Sequence, residues 1–157
     1  MTWLLLAALK KALEETLRAL PLATRPRTAG GTVVAVPPRV CIGDLPPKSS
    51  ADAFEAPAVV LQALEGFDDT EGWQHITVAL RCIVWNDESV EAVENDLANL
   101  LSMLRWRCMQ CRTAPLDGRF ALEWGENGNW LPWKRPDAQA PQFGEAYVLT
   151  HWRGRGL

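Results

Sequence analysis

Leucines set the first pattern in the chain. Leu6, Leu9, Leu13, Leu17 and Leu20 recur at spacings of three and four, with Lys10, Lys11, Glu14, Glu15 and Arg18 between them. This period gathers the leucines on one stripe and predicts an amphipathic helix over residues 2–20, ended by Pro21. A second stripe, Val90, Val93, Leu97, Leu100 or Leu101, and Leu104, predicts a helix over 88–107. Asn86 or Asp87 offers an oxygen to its free first-turn N–H groups. Glu88 and Glu91 near its start, and Arg105 and Arg107 near its end, complement the helix dipole.

Between the helices the period falls to two. Ile76, Val78, Leu80, Cys82 and Val84 alternate with His75, Thr77, Arg81 and Trp85, which predicts a strand over 75–85 with one apolar face. The apolar run Ala58–Leu64 suits its partner strand, and Gly66–Gly72, with Asp68, Asp69 and Glu71, is an acidic turn between them. A β-hairpin over 58–85 follows. Residues 21–56 break both periods with many prolines, Gly30-Gly31 and Ser49-Ser50. Their two short runs, Thr32–Val36 and Arg39–Ile42, flank Pro37-Pro38; because proline lacks the ladder donor, they read as edge strands or extended arm. Gly43–Asp52 reads as a loop. Further strands are expected at Arg119–Trp124, Trp130–Trp133 and Ala146–Trp152, with turn residues Gly125 and Gly128, a loop over Pro136–Pro141 and a short tail over Arg153–Leu157. The expected fold is α+β: a mainly antiparallel β-sheet with two helices packed on one face, plus an extended proline-rich arm over 21–56, all within one domain spanning 1–157.

Composition adds little to that picture except in two places. At 157 residues the chain can bury a substantial core. Its net charge of −3, with basic residues scattered, speaks against a dedicated DNA binder, which carries a basic patch. Eight tryptophans against one tyrosine is unusual, and suits interfaces as well as cores. The apolar segment Trp3–Leu9 lacks a preceding basic residue and a clear cleavage site, so it does not read as a secretion signal, and it is too short to span a bilayer. The expected setting is therefore cytoplasmic before assembly, with no membrane partner.

Candidate chemistry is sparse. Cys108 and Cys111 have CxxC spacing, but they follow a helix instead of opening one, where the dipole would lower a thiol pKa. A zinc site needs four ligands, and Cys41, Cys82, His75 and His151 form no second paired motif. Packing at a helix end is the expectation for the CxxC. His75 and His151 lack a nucleophile-elbow context around Ser49, Ser50, Ser89 or Ser102, and read as polar strand residues. Asp68, Asp69 and Glu71 lack the spacing of an EF-hand, and no lysine follows a glycine loop around Gly125 and Gly128. Trp124, Trp130 and Trp133, followed by Lys134 and Arg135, suit protein contact better than single-stranded nucleic acid, because the positive charge is thin. No catalytic residue, cofactor or metal is expected.

The joint order of five segments resembles the minor tail and tail terminator proteins of long-tailed phages. These are the leucine helix; Gly43-Asp44-Leu45-Pro46-Pro47-Lys48-Ser49-Ser50; Pro57–Leu61 with Glu65-Gly66-Phe67-Asp68-Asp69-Thr70-Glu71 and the alternating strand; the helix entered through Asn86-Asp87-Glu88; and Asp117-Gly118-Arg119-Phe120, Trp130-Leu131-Pro132 and Pro141-Gln142-Phe143-Gly144-Glu145 ahead of a strand ending at Trp152. The aromatic residues expected just before Phe143 are replaced here by Ala140, Pro141 and Gln142. The resemblance implies a structural virion protein of the tail neck, present in the host cytoplasm during assembly. It would form a ring, commonly a hexamer, that caps the tail tube, stops its polymerisation and offers a docking surface to the head–tail connector protein. DNA would be only passing cargo in the lumen. Interface roles then fall to Pro46, Pro47 and Lys48 in the arm, to Asp68, Asp69 and Glu71 in the acidic turn, and to Trp133, Phe143 and Glu145 before and in the last strand. The alternatives are another neck component (a head-completion or connector protein), a small zinc or redox module on Cys108 and Cys111, and a monomeric host-directed adaptor.

Overall fold

The computed structural model describes residues 1–26, 30–45, 56–137 and 140–155. In chain order its elements are α1 (Thr2–Leu17), β1 (Leu22–Thr24), β2 (Val34–Val36), β3 (Arg39–Ile42), β4 (Ala58–Asp68), β5 (Trp73–Trp85), α2 (Val90–Gln110), β6 (Ala121–Glu123), β7 (Trp133–Lys134) and β8 (Phe143–Arg155). The fold is α+β, as expected.

β5 is the spine. It pairs antiparallel with β4 on one side and, along its full length, with β8 on the other, from Trp85↔Phe143 to Trp73↔Arg155. The expected hairpin over 58–85 is therefore present. The strand order is β3-β4-β5-β8-β6, and β7 shares the outer edge of β8 with β6. One pair departs from the antiparallel pattern: β3 runs parallel to β4, Arg39↔Ala58 to Ile42↔Leu61. The long connection between them permits this, since a parallel neighbour needs a dozen or more residues to return.

Alternation along β5 decides where the core lies. Ile76, Val78, Leu80, Cys82 and Val84 are buried beneath both helices, together with Val59 and Leu61 of β4 and Ala146, Val148 and Trp152 of β8. α1 contributes Leu5, Leu9, Leu13 and Leu17; α2 contributes Val93, Leu97, Leu100, Leu101 and Leu104. Both helices thus cover one face of the sheet. Within this core the Trp152 indole donates to the Thr150 hydroxyl at 2.7 Å, which donates to the Val78 carbonyl at 2.8 Å. Gly144 lets α2 approach β8, because a Cβ there would lie 2.9 Å from both Val84 and Val93.

Several boundaries differ from expectation, each for a local reason. α1 stops at Leu17 instead of residue 20, since Pro21 disfavours helix at the residue before it and the chain closes in a turn with Leu20 N–H donating to Leu17 O at 3.0 Å. α2 is capped by Ser89, whose hydroxyl accepts from Ala92 N–H at 3.0 Å. Asn86 is occupied earlier, accepting from Glu88 N–H and donating to Asp96, so neither it nor Asp87 is the cap. α2 runs on to Gln110 because Cys108 continues the buried stripe one turn beyond Leu104. β6 and β7 are shorter than the segments 119–124 and 130–133 suggested: Arg119 belongs to a tight turn in which Asp117 and Gly118 take positive φ, and Leu131 is itself at φ 45. β8 is longer than 146–152, so Arg153–Arg155 is strand, not tail.

The proline-rich segment is also not an extended arm where it is described. β1 and β2 form an antiparallel ribbon, Leu22↔Val36 to Thr24↔Val34, and β3 is an edge strand of the main sheet. Leu22 and Val40 are buried in the core. Of the loop expected over Gly43–Asp52, residues 46–52 lie outside the described residues.

Candidate assembly surface

The sheet face away from the helices alternates out of register with the core and carries a polar and aromatic ladder. On β5 it presents Trp73, His75, Thr77, Ala79 and Arg81; opposite them on β8 stand Arg155, Arg153, His151, Leu149 and Tyr147. Beside them β4 presents Phe67 and Glu65, and β6 presents Glu123. Part of it is covered: Ile83 and Trp85 pack with Ala56, Leu45 and Phe143 in a small second cluster at its far end, and Thr77, Ala79 and Val60 are buried as well.

Three polar groups organise this face. At the hairpin end, His75 Nε2 lies 2.8 Å from Asp69 and Nδ1 lies 2.7 Å from Glu123, with the Phe67 ring stacked at 4.7 Å. The hydrogen bond to Asp69 is the largest influence raising the His75 pKa, aided by Glu123 and opposed by partial burial. The same bond is the main cause holding the Asp69 carboxyl below its ordinary value. In the middle, Thr77 Oγ1 and His151 Nδ1 are 3.1 Å apart. Further along, Arg81 donates to Glu145, and the Tyr147 hydroxyl donates to the same carboxylate at 3.0 Å. Burial, then the Glu145 carboxylate, raises the Tyr147 pKa.

Aromatic and cationic groups crowd the hairpin end. The guanidinium carbons of Arg153 and Arg155 lie 4.7 and 4.2 Å from the Trp73 ring centroid, a cation–π arrangement. On the neighbouring edge Trp124 and Trp130 meet at 4.0 Å, and Arg112 lies 4.7 Å from the Trp130 ring. A cavity of about 360 Å³ opens here, lined by Arg112, Glu123, Trp124, Trp130 and Arg153. A separate groove of about 210 Å³ between α2 and β7 is lined by Leu97, Ala98, Leu101 and Trp133, with Arg135 bridging to both oxygens of Glu94 at 2.7 Å on its rim.

The residues expected at interfaces do not form one site. Asp68 and Glu71 are exposed at the hairpin end, while Asp69 is half-buried and already engaged: its Oδ1 accepts from Glu71 and Trp73 N–H groups, and its Oδ2 meets His75. Phe143 sits at the other end of β8, about 40 Å away for a strand of this length, packed in the second cluster. Glu145 is half-buried against Arg81. Trp133 is exposed on the outer edge of β8, facing the α2 groove. Pro46, Pro47 and Lys48 lie outside the described residues. The groups missed in sequence are the His75–Glu123 contact and the arginine pair on Trp73. Glu123 is 48 residues from His75, and no local spacing joins them.

Cys108 lies in the last turn of α2 and Cys111 caps it; both are buried, in keeping with helix-end packing. Burial pushes the Cys108 thiol up to about 12 and also raises Cys111, against the lowering effect of Arg107. Cys82 is buried beneath and likewise raised. Among the described residues no cluster of three His, Cys, Asp or Glu side chains is placed to hold a metal ion, and no helix is long and apolar enough to cross a membrane. No protein-family model matches the chain, and neither does any curated protein. What the fold and surface define is an α+β protein with one helix-covered sheet face and one open face rich in cross-strand pairs.

Proposed function

We propose that this chain is a non-catalytic subunit of a phage tail neck. It acts as a tail terminator, binding as a ring, hexameric by resemblance, at the head-proximal end of the tail tube. There it occupies the position of the next tube subunit, stops polymerisation and presents another face to the connector. The observation that carries an assembly role is the placement of the tryptophans. Trp3, Trp106, Trp124 and Trp133 are 65, 60, 58 and 50% exposed, whereas only Trp85 and Trp152 are buried. Large apolar rings left in water at several places on one small protein suit repeated protein contacts. The assignment to a tail terminator in particular rests on the order of segments along the chain.

Two features support a non-catalytic reading. Both ring nitrogens of His75 face carboxylates, which leaves no free nitrogen to act as a base, and the CxxC thiols are buried with raised pKa values. Mass photometry of the purified protein, alone and mixed with polymerised tail tube, tests the proposal. Rings, or capped tube ends, support it. A monomer that ignores tube ends moves the reading to another neck component or to an adaptor.

A further inference from the structure

We infer that His75, in its doubly protonated form, is a latch that ties the β4–β5 turn to β6 and opens when the imidazole loses its second proton. The argument is a count of donors. Asp69 and Glu123, when ionised, offer only acceptors, and they meet opposite nitrogens of one ring at 2.8 and 2.7 Å. An imidazolium donates to both. A neutral imidazole has one N–H, so one carboxylate then faces a nitrogen lone pair, and that contact turns from attraction to repulsion.

The surroundings favour the closed form. Phe67 of β4 stacks on the ring and holds its plane. Asp69 is fixed independently of His75, since its other oxygen accepts from Glu71 and Trp73 at 2.9 Å each, and Asp69 N–H donates to Trp73 O at 2.8 Å. The turn itself therefore stays closed when His75 is neutral. What is lost is its link to β6, a strand of three residues held otherwise by β8 and by Leu122 N–H donating to Cys111 O at 3.0 Å. The other charged groups near the ring are Arg153 of β8, opposite His75 and 3.7 Å from Glu123, and Asp68, which lines the same shallow hollow as His75. Arg153 gives Glu123 a second partner that does not depend on His75. The neutral state consequently leaves Glu123 with the arginine and uncouples the closed turn from β6. The raised pKa of His75 agrees with this geometry.

The test is a nitrogen-15 NMR titration of the imidazole rings in the whole protein, with amide exchange followed in parallel. Both His75 nitrogens should carry protons below the His75 midpoint, and that midpoint should lie above the ordinary histidine value. As His75 titrates, exchange at residues 121–123 should quicken relative to β5 core amides such as Leu80. Glu123→Gln, which keeps the shape of the acceptor without its charge, should lower the His75 midpoint. A His75 midpoint at or below the ordinary histidine value, a midpoint unmoved in E123Q, or exchange at 121–123 that ignores the titration would each overturn the latch.

Discussion

On one side of β5, Ile76, Val78, Leu80, Cys82 and Val84 meet the leucines of both helices; on the other, His75, Thr77 and Arg81 meet partners across neighbouring strands. The same strand is therefore held by two kinds of force. Burial on the helix side is non-directional and indifferent to proton concentration. The pairs on the open side depend on charge, on geometry and on access to water. The difference teaches where this protein is rigid and where it can change: the helix-covered face sets stability, and the open face sets response to conditions.

The helix-covered face should give the largest effects. Leu104 is fully buried beneath the sheet, and Leu104→Ala should cost about 2–5 kcal/mol, read as a lower urea midpoint. Gly144→Ala tests close approach instead of a cavity. Its new methyl meets Val84 and Val93 at 2.9 Å, inside real Cβ contact distance, and should cost about 1–3 kcal/mol in the same measurement. If G144A proved neutral, the spacing between α2 and β8 would be less firmly set than the structure shows.

On the open face the effects on stability should be smaller and conditional. Because the folded-state pKa of His75 is raised, its contribution is complete below the unfolded value of about 6.5 and is lost as pH rises through the folded value. Asp69 has the opposite sign: its pKa is lowered, so its contribution is present above the unfolded value and fades as pH falls through the folded one. Chemical denaturation across pH should show a decline above about 6.5 in the native protein, and His75→Gln should flatten that decline. An unchanged slope would mean that the two carboxylates are stabilised by other donors.

Smallest of all should be the effect on folding of Glu145→Arg and Trp133→Ala. Glu145→Arg sets a cation against Arg81 on a partly exposed pair, which should change stability by less than about 1 kcal/mol. Trp133 is half-exposed, and its removal should leave the thermal midpoint nearly unmoved. Under the assembly proposal both should nevertheless reduce ring formation or tube capping in mass photometry. Intact assembly by both variants would remove those two residues from the interface.

The legible parts of this chain were those whose signal is local and periodic. The stripe from Val93 to Leu104 and the alternation from Ile76 to Val84 each point a set of side chains in one direction, and the helix, the strand and its buried face follow. The Pro21 stop was visible too, although it acts three residues earlier than expected. Of the two readings of the runs in the proline-rich stretch, edge strand or extended arm, the first holds where the stretch is described: prolines bar a central strand but not an edge one, and Pro37 and Pro38 punctuate β2 and β3 without abolishing either. The tail misled because Arg153 and Arg155 look like a solvated end until a thirteen-residue template stands opposite them.

Sequence alone determined the fold class, the hairpin and the inward face of each long element, because hydrophobic period is a property of neighbours along the chain. Only the tertiary structure decided which charges meet. His75 is six residues from Asp69 and forty-eight from Glu123, and Arg81 is sixty-four from Glu145. Those encounters depend on strand order and register, which bring distant residues onto one face at hydrogen-bond distance, and no spacing in the chain encodes that distance.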